Sequence, residues 1–219
     1  PRLKGASRAL GRVPTPPRAT PLVVAGLGAD PGVVALREAV GAGLRQLTDF
    51  AAVAVAFPGR ELTEQEAVAT LEGAGLGAYA FGAYRADGGK KRATTITVHT
   101  GAELSEASIR DAKSVVEAVA LVKDLVTTPA NDLGPADLAA KAVEAVAGLP
   151  IEVEIFDEVA LAAGGFGGIL GVGVGSDRPP RLIKLTYSPA DATKHVALVG
   201  KGITFDTGGE GFRISLARR

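Results

Sequence analysis

The residues best placed to do chemistry stand near the end of the sequence: Lys201 and Asp206, five positions apart in the run VGKGITFDTGG, residues 199–209. The run leaves an apolar stretch, residues 195–199, that reads as a strand, so both side chains are expected at the mouth of a buried strand. Strand ends are where α/β proteins hold their ligands. The glycines at 200, 202, 208 and 209 allow the backbone to approach a partner closely. Spacing alone reads as a Lys–Asp ion pair in a glycine-rich loop. A phosphate cradle fails on its own motif, which needs Ser or Thr directly after its Lys; Gly202 stands there instead.

Other chemistry-bearing residues read as structural. His99 and His195 are the only histidines, and neither has an HExxH pattern or a clustered partner. Gly171, Gly173 and Gly175 resemble part of a dinucleotide fingerprint, but the segment lacks the final spaced glycine and runs into Arg178-Pro179-Pro180. It reads as a packed glycine loop. Asp132 reads as a turn residue, and Asp157 and Glu158 as helix caps.

Bulk properties exclude several classes of function. Lys+Arg and Asp+Glu balance at 24 each, leaving no surplus to neutralise a phosphate backbone, so nucleic acid is not an expected partner. With no cysteine, disulfides and thiolate metal sites are ruled out, and cytoplasm is the expected location. The apolar runs are much shorter than the roughly 20 residues of a membrane span. The sequence also lacks any Met, even at its start, which suggests that the chain has been trimmed or that its beginning is not represented.

Elements that could position the run alternate along the chain. Residues 1–20 carry five basic residues, no acidic one and four prolines, and read as a flexible tail. Residues 21–27 read as a strand and 31–47 as a helix with apolar residues at helical spacing. Residues 51–57 form a small-apolar run ended by Pro58-Gly59, the pattern of a strand buried on both faces. Thr63 stands three residues before Glu66, a capping box for a helix running to about Tyr84, in which Gly73, Gly75 and Gly77 imply tight packing. Residues 94–100 read as a strand. A long helix capped by Ser105 or Ser108 keeps Ile109, Val115, Val116, Val119, Leu121, Val122 and Leu125 on one broad face and links two domains. A helix opens at Gly134-Pro135, and strands are expected at 151–156 and 181–187. This order predicts a tail at 1–20, an α/β domain over 21–126 with a mixed sheet and the linking helix at its end, and part of a second α/β domain over 127–219.

The run VGKGITFDTGG resembles the first metal motif of the leucyl aminopeptidases, the two-metal cytosol aminopeptidase family, whose usual form is VGKG-[IV]-TFD-[ST]-GG. The resemblance extends backward through GVGVGSDRPPRLIKLTY at 171–187, DLVTTPANDLGPADLA at 124–139 and LGAYAFGAYR at 76–85, and covers about residues 21–209. It implies an N-terminal α/β domain, a connecting helix and the beginning of an α/β aminopeptidase catalytic domain, in a subunit that assembles as a hexamer. It also implies that Lys201 gives its amine to one metal and Asp206 a carboxylate to a pair of divalent ions, manganese or zinc. Such a pair polarises a scissile carbonyl and makes hydroxide available near neutral pH. The implied substrates are peptides with a free N-terminus.

The resemblance breaks after Gly209. The family continues with ISIKP, in which the Lys is catalytic, whereas this chain reads Glu210-Gly211-Phe212-Arg213-Ile214-Ser215. Arg213 falls in the matching place by count, but an Arg keeps its charge and holds a different geometry, so no catalytic role is assigned to it. The family's later Asp ligand and its NTDAEGR motif have no counterpart here. The chain is therefore expected to be inactive alone, and the alternative reading is a non-catalytic α/β assembly or regulatory module.

Overall fold

The computed structural model describes residues 10–13, 22–29 and 31–205. The chain divides into two compact units, Pro1–Thr127 and Thr128–Arg219. Asp206 and Arg213 lie outside the described residues.

In the first unit, β1 (Leu10–Val13) pairs antiparallel with β2 (Leu22–Ala25). The stretch read as a tail thus contributes a strand. Its prolines stand at 1, 14, 16 and 17, so residues 10–13 keep the N–H groups that a ladder requires. The helix α1 (Val33–Gln46) follows, then β3 (Ala52–Ala56), α2 (Glu64–Ala78) and β4 (Thr95–His99), which lies parallel to β3 with Val53 opposite Ile96. The strand β3 was expected to be buried on both faces. Only Val53 and Val55 turn inward, while Ala52, Ala54 and Ala56 remain exposed, because the helices cover one face of the pair. Val53, Val55, Ile96 and Val98 pack there on Val40 and Leu44 of α1 and Ala74 of α2. A second cluster centres on Leu36, Leu62 and Ala67.

The capping box forms as the spacing requires. The Thr63 hydroxyl accepts from the Glu66 N–H at 3.3 Å, and the Glu66 carboxylate accepts from the Thr63 N–H at 2.9 Å. Arg60 adds an ion pair to the same carboxylate. The glycines of α2 form the helix contact. A Cβ on Gly73 would sit 2.4 Å from the Arg37 carbonyl oxygen, and one on Gly77 would sit 2.6 Å from that of Gly41. One on Gly75 would meet Val116 at 2.7 Å. Small residues at these positions let α1 and the next helix lie directly on α2.

That next helix, α3 (Glu106–Thr127), is capped by Ser105, whose hydroxyl accepts from the Ser108 N–H at 3.1 Å. Its apolar face is only partly covered: Ala112 is buried and Val116, Leu121 and Leu125 are half-buried, whereas Val115, Val119, Val122 and Val126 are exposed. Its close contact with α2 includes Val116 against Gly75. The helix α2 also ends at Ala78, before the expected Tyr84, with Tyr79 already extended. The Tyr79 phenol donates to Asp124 of α3 at 2.6 Å, and Lys123 lies over its ring at 4.1 Å.

Desolvation, then the bond to Asp124, pushes the Tyr79 phenol up to about 12. A raised phenol stabilises the fold fully below the unfolded pKa, and the contribution disappears as pH rises through the folded value. Titration followed by phenolate absorbance should therefore show a Tyr79 phase near pH 12. In Asp124→Asn that late phase should move toward the ordinary range. An unchanged titration would remove Asp124 as a cause.

The second unit contains α4 (Pro135–Ala145), β5 (Ile151–Phe156), α5 (Glu158–Ala163), α6 (Gly167–Gly173) and β6 (Leu182–Tyr187). The strands β5 and β6 are antiparallel, with Glu154 opposite Lys184, and those two side chains form an ion pair. Asp157 caps α5 by accepting from the Ala160 N–H at 2.8 Å, as its position predicts. Glu158 is no cap; it pairs with Arg181 at 2.5 Å. The expected glycine loop over 164–175 contains α6. The packing there is uneven: a Cβ on Gly173 would meet Pro180 at 2.9 Å, whereas Gly171 and Gly175 have nothing within 4 Å and Val172 and Val174 are exposed.

Residues 195–199 do not form the expected strand. Val196, Leu198 and Val199 are 83%, 95% and 98% exposed. A strand buried on both faces needs paired neighbours and a covering layer. No described residue supplies either to this stretch.

Candidate functional site

Lys201 lies in an extended segment that lines a cavity of about 730 Å³ in the second unit. The turn at Ala130–Gly134 forms one wall and α6 another. Ile203 and Phe205 continue the Lys201 side, and Leu182 stands at the start of β6. The lining is mostly apolar. Its charged members are Lys201, Arg178 and Arg181, with no carboxylate among them.

The two arginines are committed to the framework. Arg181 pairs with Glu158 and also donates to the Pro180 carbonyl at 2.9 Å. Arg178 donates to the Ala130 carbonyl at 2.6 Å and to that of Asn131 at 2.7 Å. Lys201 is exposed and forms no ion pair or hydrogen bond among the described residues. Its amine is therefore accessible from the cavity.

Of the ionisable residues that the sequence reading marked for chemistry, Lys201 is on a wall of this cavity, together with Gly173, Gly200 and Gly202. Asp206, one residue beyond the described segment, cannot be placed beside it. The Lys–Asp ion pair expected from spacing falls outside the described residues for the same reason. His99 ends β4 in the first unit, and His195 lies exposed in the irregular segment after β6. The sequence reading missed Arg178. No spacing rule marks it, because its acceptors are backbone carbonyls 47 and 48 residues away.

A two-metal centre requires several converging donors. The described residues contain no group of three or more His, Cys, Asp or Glu side chains that could hold a metal ion. An amine from Lys201 suits such a centre as one donor among several. By themselves, the described residues do not fit a metal pair, and no catalytic step is derived through one.

Comparison with known proteins places this geometry in a family. The family model described as "Cytosol aminopeptidase family, catalytic domain" matches residues 120–216, beginning within α3. The "Probable cytosol aminopeptidase" of Clavibacter michiganensis is 55% identical over 193 residues, covering 84% of this chain and 38% of the relative. That of Leifsonia xyli is 48% identical over 208 residues, covering 94% of this chain and 42% of the relative. The chain thus spans about two fifths of the length of these curated relatives. Among solved structures, "Bottromycin maturation enzyme BotP in complex with Mn" superimposes with a TM-score of 0.72 at 25% identity, covering 85% of this chain and 41% of that one. The mixed α/β architecture, the order of the motifs and these similarities together lead to one conclusion: the chain belongs to the cytosol aminopeptidase family.

Proposed function

We propose that the protein carrying this sequence is a metal-dependent aminopeptidase that releases N-terminal amino acids from peptides. The observation carrying this reading is the run at residues 199–209, which follows the family's metal motif and whose exposed Lys201 lines a cavity. In this reading Lys201 supplies an amine donor and Asp206 a carboxylate. Manganese or zinc are the metals to test, and manganese has support from the relative whose structure is described as a complex with Mn. A division into an α/β domain over 21–126 and the beginning of a catalytic domain over 127–219, a hexameric assembly and a cytoplasmic location belong to the same proposal. Among the described residues, no helix is long and apolar enough to cross a membrane.

The test is release of p-nitroaniline from leucine p-nitroanilide with added manganese or zinc, with EDTA as the control. Protein carrying this sequence at the length of its relatives should turn over, and chelation should stop it. The 219-residue chain is expected not to turn over, because its sequence has no counterpart of the family's later Asp ligand or NTDAEGR motif. A folded, full-length protein that assembles but never releases the chromophore would instead support the non-catalytic assembly module.

A further inference from the structure

One wall of the cavity is the turn at Ala130–Gly134, and a side chain distant in sequence ties it to the connection before β6. The Arg178 guanidinium spans from the connection between α6 and β6 to that turn, donating to the carbonyls of Ala130 and Asn131 at 2.6 and 2.7 Å. These are charge-assisted bonds with the fork geometry that lets one Arg fix two acceptors. The arginine is itself oriented at its base, where its N–H donates to the Ser176 hydroxyl at 3.1 Å.

Gly134 completes the arrangement. A Cβ there would lie 2.7 Å from Arg178 Nη1 and 2.9 Å from its Cδ, so the guanidinium occupies the space a side chain would need. The Gly134 N–H donates to the Asp137 carboxylate at 2.8 Å, and that carboxylate lies 4.0 Å from Arg178 Nη1. Arg178, Asn131, Gly134 and Lys201 all line the same cavity. The turn also has local bonds, from the N–H groups of Asp132 and Leu133 to the Pro129 carbonyl and from Gly134 to Asp137, and Leu133 is buried.

We propose that Arg178 is a positioning residue, pinning the Ala130–Gly134 turn as the wall that faces the Lys201 segment and so setting the shape of the substrate cavity. The consequence for catalysis rests on the aminopeptidase reading above; the clamp itself does not. Arg178 touches no reacting group in this account and acts through the turn.

Hydrogen exchange on the 219-residue chain tests the clamp. In Arg178→Ala, the amides of Asp132, Leu133 and Gly134 should exchange about tenfold faster or more, because the turn opens locally, while those in β5 and β6 keep their rates. Arg178→Lys, with one ammonium for two carbonyls, should fall between. Gly134→Ala should also loosen the turn by displacing the guanidinium, and adding it to Arg178→Ala should have little further effect. Unchanged exchange in Arg178→Ala, or full additivity of the two substitutions, overturns the clamp.

Kinetics on the full-length protein tests the consequence. Arg178→Ala should raise KM for leucine p-nitroanilide several-fold with kcat nearly unchanged, and Arg178→Lys should recover part of it. A loosened turn with unchanged KM overturns the positioning role and leaves the aminopeptidase reading standing. A parent protein without turnover sinks that reading and, with it, the catalytic consequence; the exchange result then decides the clamp alone.

Discussion

Replacing Gly73 by Leu is expected to unfold the first unit, and Gly73→Ala to destabilise it by about 1–2 kcal/mol. The new Cβ of the alanine would lie 2.4 Å from the Arg37 carbonyl oxygen and 2.9 Å from its Cα, both of them backbone atoms in α1. A flexible side chain could swing away, but a helix backbone moves only as a body. Separating α1 from α2 would loosen the packing of Leu36, Val40 and Leu44, which are 0%, 7% and 4% exposed. Overpacking of this kind costs about 1–3 kcal/mol, and the better helix propensity of alanine returns up to about 1 kcal/mol. The loss wins at Gly73. It should lose at Gly43, a buried position in α1 where a Cβ meets nothing within 4 Å; Gly43→Ala should stabilise by about 0.5–1 kcal/mol. Chemical denaturation of the pair measures the contrast. Equal effects at both positions would mean that the helix crossing is not set by these glycines.

Lys201→Ala in the full-length protein should cut turnover of leucine p-nitroanilide by at least about 100-fold, while the melting temperature in EDTA stays where it was. The two halves of this expectation come from different observations. Lys201 is exposed and makes no bond among the described residues, so its removal takes away no folding contact. Lys201 lines the cavity within the run that resembles the family's metal motif, so in the proposed reading its removal takes away a donor. A lysine that merely decorated the surface would give wild-type turnover. Lys201→Arg should not rescue, because a guanidinium keeps its proton at neutral pH and offers no free lone pair. Full activity in either variant would defeat the assignment of Lys201 as a ligand.

Much of the first unit could be read from local pattern because its determinants are local. The capping box needs only Thr63 and Glu66 three residues apart, and α2 starts where that pattern places it. The three glycines of α2 signalled close contact, and each would clash with a neighbouring element if it carried a Cβ. The end of α2 was misread because it depends on α3: Tyr79 leaves the helix and gives its phenol to Asp124, 45 residues away. The helix within residues 164–175 was missed because glycine there argues against helix by propensity alone. Yet α6 forms between the turn after α5 and Pro180, which packs on Gly173.

The candidate site divides in the same way. Family membership and the identity of Lys201 and Asp206 as its motif residues follow from the order of short motifs, which survive in any conformation because they are written in adjacent residues. The local amphipathic patterns likewise set which segments become helices and strands in most of the first unit. Which carbonyls Arg178 grips, which face of α3 is left uncovered and whether residues 195–199 pair as a strand are decided by tertiary contacts. Each depends on groups distant in sequence finding one another. A strand in particular has no internal hydrogen bonds to hold it, so the apolar run before Lys201 takes its conformation from its neighbours, whereas a helix such as α4 closes its own.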